Sequence, residues 1–154
     1  MSHTPEPKPE FILAGVVMKR LVAGSETGGS FCLFENRSEG PSKTPIHLHD
    51  GDDETIYMIE GELQAQTPTE TTTIKAGEMV FLKRGIAHQL SNPSGKPNRY
   101  ILLCTPSGFD EFLEAAGKLK QPGDVPGPPT PEDIARLKEA APKFGITLLP
   151  DWPA

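Results

Sequence analysis

The feature that most constrains the fold is the alternation of short apolar runs with turn residues across residues 11–105. Runs of roughly four to seven residues, with a turn signal about every 8–12 residues, are typical of all-β sandwiches and barrels. The runs include FCLF, IHLH, TIYMIE, MVFL and YILLC, and the turns include GSETGG, SEGPSK, KAGE and NPSGKPN. No helical pattern of about 10–15 residues interrupts them, so we do not expect a parallel α/β sheet.

The pattern changes to a helical one after Pro106. Apolar residues then recur at helical spacing: Phe109, Phe112, Leu113, Ala116 and Leu119. After the Pro- and Gly-rich segment QPGDVPGPPTP, a second helix begins that Thr130 can cap and that should end near Pro142. Its apolar residues are expected to pack on the outside of the barrel: Ile134, Leu137 and Ala141.

These patterns divide the chain into three parts. We predict a disordered N-terminal arm at residues 1–10, a β-barrel at residues 11–105, and a C-terminal helical extension packed on the barrel at residues 106–154. The 154 residues suffice for one domain with a sizeable core.

Composition excludes several classes of function. The net charge of −6 does not favour nucleic-acid binding, and no run of about 18 apolar residues predicts a membrane span. The polar, Pro-rich N-terminus does not look like a signal peptide, so we expect a cytoplasmic protein. The cysteines Cys32 and Cys104 lie in apolar runs and are expected to be buried free thiols.

Two of the chain's four histidines, His47 and His49, stand two residues apart in the run TPIHLH. In a strand this spacing puts both imidazoles on one face, where they can chelate a divalent metal. Glu54 follows a short turn, so a chain returning antiparallel could bring its carboxylate to the same point, and His88 lies in the further strand-like run IAHQL. Three imidazoles and one carboxylate suit Mn, Fe, Co, Ni, Cu or Zn and leave positions open for water or substrate. Two surface histidines at a turn would give the same HxH spacing, and that interpretation stays open.

Taken together, these segments resemble the two motifs of the cupin superfamily. The first motif reads G-x5-H-x-H-x3/4-E-x6-G, and its counterparts here are Gly40 (one residue too far upstream), His47, His49, Glu54 and Gly61. The second motif reads G-x5-P-x-G-x2-H-x3-N, and its counterparts are Gly77, Lys83 (in place of Pro), Gly85, His88 and Asn92. Both departures concern turns and leave all four ligand types in place.

The resemblance implies a cupin double-stranded β-helix, or jelly-roll barrel, followed by two short C-terminal helices. It implies one divalent transition metal (Fe, Mn, Ni, Co, Cu or Zn) held by His47, His49, Glu54 and His88. The neighbouring Asp50, Asp52 and Asp53 are then expected to form a solvated turn, with Asp53 replacing Glu54 as ligand if the register shifts by one residue. Small cupins commonly pair, so we expect a homodimer.

The expected pocket is apolar. Strand alternation puts Ile56 and Met58 on the face of Glu54, and Leu90 on the face of His88. Such walls suit an aromatic or enol-type small molecule better than a sugar phosphate, which would need inward-facing Arg or Lys.

A looser resemblance, over roughly residues 12–149, is to small single-domain cupins of the cupin 2 type labelled quercetin-dioxygenase-like. It implies a dioxygenase acting on a flavonol-like substrate, with Glu54 as both metal ligand and general base. Two alternatives stay open: a non-catalytic module that binds or senses a small ligand, and a metal-dependent isomerase or epimerase that turns over without oxygen.

Overall fold

The computed structural model of this chain describes residues 6–153. Of the predicted disordered arm, residues 1–5 lie outside the described residues, and residues 6–9 have no regular secondary structure. The strands are β1 (Glu10–Leu13), β2 (Val16–Val22), β3 (Cys32–Ser38), β4 (Ser42–Lys43), β5 (Ile46–His49), β6 (Asp53–Glu60), β7 (Glu62–Gln66), β8 (Thr71–Lys75), β9 (Met79–Leu82), β10 (Gln89–Asn92), β11 (Asn98–Thr105), β12 (Lys118–Leu119) and β13 (Ile146–Leu149). The helices are α1 (Phe109–Ala116) and α2 (Pro131–Ala140).

The strands form an antiparallel jelly-roll barrel, which confirms the predicted all-β fold. A seven-stranded sheet has the order β12-β1-β2-β3-β11-β6-β9, and a four-stranded sheet has the order β4-β10-β7-β8. A two-stranded sheet pairs β5 with β13. An isolated bridge between His47 and His88 joins β5 to the segment that precedes β10.

The hydrophobic core lies inside the barrel because the long strands alternate with period two. In β3 the buried side chains are Cys32, Phe34, Asn36 and Ser38, and the residues between them are only half-buried. The neighbouring β11 shows the same alternation over its whole length. One face of each strand therefore points inward, as the sequence pattern predicts.

The C-terminal extension contains the two predicted short helices. Helix α1 buries the side chains of its apolar face in the core: Phe109, Phe112, Leu113 and Ala116. At the start of α2 the hydroxyl of Thr130 accepts a hydrogen bond from the Asp133 backbone at 3.2 Å, as expected of an N-cap. None of the helices in residues 6–153 is long and apolar enough to cross a membrane.

The extension also contributes two strands that the helical pattern did not predict, and Leu119, expected at helical spacing, lies in the first of them, β12. A short 3-10 helix (Ala141–Phe144) follows α2, and Gly145 then turns the chain with φ of 70°. Strand β13 pairs with β5 so that Ile146 lies opposite His49 and Leu148 lies opposite His47. The C-terminus therefore completes the wall beside both histidines.

Candidate metal centre

Strand pairing brings the four predicted ligands to one point inside the barrel. His47 and His49 share the inner face of β5, and Glu54 stands on the adjacent β6 after the turn. His88 is held next to His47 by two backbone hydrogen bonds, of 2.8 and 3.0 Å. One nitrogen or carboxylate oxygen from each of the four residues lies within 4.8 Å of the others.

The ligand atoms lack other partners, and this is the observation that tests their fit to a metal. Nε2 of His49 is 2.6 Å and Nε2 of His88 is 3.7 Å from Oε1 of Glu54. All three atoms are buried: Nε2 of His49 and Oε1 of Glu54 contact each other without good hydrogen-bond geometry, and Nε2 of His88 has no hydrogen-bond partner among the described residues. Leaving a buried polar group unsatisfied costs about 1–3 kcal/mol. A cation between them would satisfy all three, so the residues fit a divalent metal.

The other ring nitrogen of each histidine is held in place by an oxygen. Nδ1 of His47 lies 2.8 Å from the Pro45 carbonyl, and Nδ1 of His88 lies 3.4 Å from the Ile86 carbonyl. Each Nδ1–H can donate to its carbonyl, and this leaves Nε2 as the free lone pair. The rings are thereby oriented for coordination through Nε2.

The side chain of Asp52 contacts His49, so the prediction that Asp52 belongs to a solvated turn is wrong. Its Oδ1 lies 3.1 Å from Nδ1 of His49, and its side chain is only 12% exposed. A carboxylate that orients a ligating histidine is a common outer partner in metal sites. The sequence showed Asp52 three residues after His49, but not that the turn folds it back onto the ring.

Asp53 is not part of the turn's solvated face either. Its two carboxylate oxygens pair with the Arg84 side chain at 3.2 Å, and Oδ1 also accepts from the Arg84 backbone at 2.8 Å. Asp53 therefore faces away from the histidines while Glu54 faces them, and the alternative ligand register is wrong. Of the three aspartates, only Asp50 is exposed as predicted.

The charges of the cluster are set by burial and by proximity. Burial, helped by the nearby His88, lowers the pKa of His47 to about 4. Burial also lowers the pKa of His88. For His49, burial would lower the pKa, but the carboxylates of Glu54 and Asp52 outweigh it and raise the pKa to about 10. For Glu54, burial would raise the pKa, but the adjacent His49 outweighs it, and the pKa falls to about 2. At neutral pH the metal-free cluster thus holds a Glu54 carboxylate beside a His49 imidazolium, and a metal would displace the His49 proton.

A small cavity of about 70 Å³ adjoins the ligands. Leu90 lines it as predicted, whereas Ile56 and Met58 do not. Those two side chains share the face of Glu54 but are completely buried in the core. Alternation identified the correct face but not how far along β6 the cavity extends.

Several cavity walls were missed by the sequence pattern. Tyr100 faces inward from β11 and lines the cavity. Burial raises its pKa to about 12, so its hydroxyl stays protonated. Leu137 of α2 and the β13 residues Ile146 and Leu148 also line the cavity. In the sequence, the short, largely apolar run ITLL after Gly145 was the pattern from which β13 could have been predicted.

The two cysteines are buried and free, as predicted. Cys104 lies opposite Cys32 on one side and opposite Glu54 on the other. A hydrogen bond with the Cys32 thiol, together with burial, raises the pKa of Cys104 well above its usual range. Both side chains are completely buried and belong to the hydrophobic core.

The sequence and the structure were compared with those of known proteins. Residues 35–104, slightly less than half of the chain, match the Cupin_2 family model, a cupin domain. The barrel is a cupin fold. The match contains all four clustered residues and supports a cupin domain over this part of the chain.

The similar solved structures differ in the activities that their names state. The polyketide cyclase RemF from Streptomyces resistomycificus aligns with a TM-score of 0.57 at 22% identity, over 70% of this chain and 81% of that chain. An RmlC-like cupin from Shewanella frigidimarina aligns with a TM-score of 0.58 at 17% identity, over 71% and 93%. A cupin sugar phosphate isomerase from Silicibacter pomeroyi aligns with a TM-score of 0.52 at 23% identity, over 61% of both chains. At these identities the likeness shows the fold alone.

A curated relative is more similar in sequence but much longer. Germin-like protein subfamily 2 member 2 from Arabidopsis thaliana is 32% identical over 95 residues, which are 58% of this chain. The chain spans 41% of the length of that relative.

Proposed function

We propose that this cupin is a metal-dependent dioxygenase acting on a small aromatic or enol-type substrate, flavonol-like in its reacting part. The observation that carries the proposal is the pairing of the cluster with an apolar cavity. His47, His49 and Glu54 line one side of it, and no Lys or Arg is among its described lining residues. A phosphate group would find no cation there, whereas a hydroxyl on a ring or enol would find a carboxylate and imidazoles.

The residues that would hold the metal are His47, His49, Glu54 and His88. A bound divalent transition metal supplies Lewis acidity, which lowers the pKa of a substrate hydroxyl. The Glu54 carboxylate is ionised at neutral pH, because the adjacent His49 lowers its pKa, and it is the proton acceptor that lines the cavity. Oxidative cleavage of an enol or catechol ring places both atoms of dioxygen in the product, and the substrate supplies all four electrons, so no further reductant is needed.

Other side chains shape the site without touching the reacting atoms. Asp52 holds the ring of His49, and Phe109, Leu102 and Leu90 supply apolar walls that limit the water beside Glu54. Exclusion of water strengthens the electrostatic interactions in the site.

The test is oxygen uptake by untagged protein loaded in turn with Mn, Fe, Co, Ni, Cu and Zn. Flavonols, catechols and β-diketones are supplied, and both oxygen consumption and the ultraviolet absorbance of the substrate are followed. We expect one dioxygen consumed for each substrate lost. Glu54→Gln should lower kcat by about 10²-fold or more, as for loss of a general base, while Glu60→Gln, an exposed carboxylate on the same strand, should not.

Each alternative function predicts a different result. Full activity in Glu54→Gln would eliminate the base role. Turnover of a carbonyl substrate without oxygen would identify an isomerase or epimerase instead. Saturable binding across the panel without turnover would identify a binding module.

A further inference from the structure

The inner cavity is too small for the whole of the proposed substrate. Its 70 Å³ hold on the order of five water molecules, at roughly 10–15 Å³ each. Pockets for complete small-molecule ligands typically measure about 300–1,000 Å³. Only the reacting end of such a molecule fits beside the ligands, so the rest of it must lie elsewhere.

A second, much larger space adjoins the cavity. This outer groove has a volume of about 960 Å³ and lies between the β1–β2 turn, the segment 43–45, helix α2 and strand β13. The groove and the inner cavity adjoin, since they share lining residues, and we call this shared boundary the neck: Leu13, Ala14, Thr44, Leu137 and Leu148 among others. Leu148 stands directly opposite His47 across the β5–β13 pair. The groove therefore lies next to the metal centre, on the other side of this boundary.

The walls of the outer groove are apolar but are edged by positive charge. Ile134, predicted to pack on the barrel, is instead 41% exposed and lines the groove. Lys43, Lys118 and Lys138 also line it, and none of them has an ion-pair partner among the described residues.

Acidic groups in the groove do not cancel this charge. Asp133 is paired with Arg136 at 2.8 Å, so Asp50 is the remaining carboxylate among the described lining residues. A local excess of cations is notable in a chain whose net charge is −6. It favours an anionic ligand in the groove.

We propose that the outer groove binds the body of the substrate, and that the substrate is an amphipathic acid. Its ring system lies against Ile134 and Leu148, its carboxylate lies at the edge near Lys43, and its hydroxyl end passes the neck to reach Glu54. This inference rests on the proposed function for the identity of the reacting end. Binding in the groove itself requires neither metal nor turnover.

The experiment uses 6-hydroxy-2-naphthoate, which carries a hydroxyl at one end and a carboxylate at the other, and its uncharged methyl ester. Each is titrated into metal-free protein while the naphthalene fluorescence is followed. We expect saturable binding of the acid, several-fold tighter than that of the ester. Lys43→Gln should reduce this preference several-fold and leave ester binding unchanged. Ile134→Ser should weaken both ligands several-fold.

The matched control is Lys143→Gln, a lysine of the same extension that does not line the groove and lies 3.5 Å from Glu139. It should bind both probes as the unaltered protein does. Equal binding of acid and ester, or wild-type binding by both groove variants, would overturn the proposal. So would a dimer by sedimentation that excludes the probe and dissociates in Ile134→Ser, since the groove would then be covered by a second copy.

Failure of the two proposals can be told apart. Tight probe binding without oxygen uptake would overturn the proposed dioxygenase activity and leave the proposed binding in the groove standing. Oxygen uptake without probe binding would overturn the proposed binding in the groove and leave the proposed dioxygenase activity standing.

Discussion

At the scale of single residues, the centre depends on how each imidazole is oriented and charged. His47 and His88 face backbone carbonyls, whereas His49 faces the Asp52 carboxylate. The three imidazoles are therefore not equivalent. His49 alone has a raised pKa, and it alone must lose a proton when a metal binds.

The Asp52 contact predicts a loss of metal affinity in Asp52→Asn. Removing such an outer partner typically costs about 10–100-fold. We expect the lower end of that range, because loss of the carboxylate also lowers the pKa of His49 and so eases competition by the proton. Zn²⁺ titration against a chromogenic chelator measures this. Asp50→Asn, exposed and in the same turn, should match the unaltered protein, and equal affinities in the two variants would contradict the role of Asp52.

The raised pKa of His49 also predicts how metal affinity depends on pH. With a pKa of about 10, His49 carries at pH 7 a proton that the metal must displace. His47, with a pKa of about 4, is already neutral at pH 7. Apparent affinity should therefore rise about tenfold per pH unit, or about 100-fold between pH 7 and pH 9. Calorimetry in buffers of different ionisation enthalpy should show release of one proton per metal. An affinity that does not change over this interval would refute the protonated state of His49.

At the scale of elements, two turns of the cupin motifs have different steric demands. Gly61 and Gly77 both have positive φ, of 75° and 88°. A Cβ on Gly61 would lie 2.5 Å from the carbonyl oxygen of Pro97, whereas a Cβ on Gly77 would meet nothing within 4 Å. The turn at Gly61 thus requires glycine because of both its positive φ and the close approach of Pro97. The turn at Gly77 requires it because of its positive φ alone.

We therefore expect Gly61→Ala to destabilise the fold more than Gly77→Ala. The left-handed conformation costs a non-glycine residue about 1–2 kcal/mol, and crowding against backbone adds about 1–3 kcal/mol for Gly61 only. Urea unfolding of both variants gives the two changes in the free energy of unfolding. Equal losses would show that the approach to Pro97 carries no cost.

Sequence patterns predicted the faces of strands better than the extent of the site. Alternation placed Glu54, Ile56 and Met58 on one inward face, because the side-chain period of a strand is two. It could not show that the cavity ends before Ile56. Strand β13 was missed since a four-residue run far along the chain acquires meaning only through its pairing with β5. The Asp52 contact depends on the path of a turn, which residue types alone do not define.

At the scale of the whole molecule, one sheet edge carries an exposed apolar surface. Strand β9 ends the seven-stranded sheet, and Met79 and Phe81 are each more than half exposed on it. Tyr57, opposite Met79 on β6, is 49% exposed. Exposed edges with apolar side chains are normally covered. We propose that a second copy of the chain covers this edge, as the expected homodimer would require.

If this edge forms the proposed dimer, we expect Phe81→Lys to give a monomer, because it places two charges in the interface. Leu119→Lys is the matched control, since Leu119 is 50% exposed at the opposite end of the same sheet. Sedimentation velocity measures both. A monomeric unaltered protein, or a dimer that survives Phe81→Lys, would exclude this edge as the interface.

The central claim is that one cation is held by His47, His49, Glu54 and His88. Anomalous diffraction from crystals of the zinc-loaded protein, recorded on both sides of the metal's absorption edge, tests it most directly. The account predicts a single peak inside the barrel, about 2.0–2.2 Å from one atom of each of the four side chains. A peak that lies elsewhere, or the absence of any peak between the three imidazoles and the carboxylate, would contradict it.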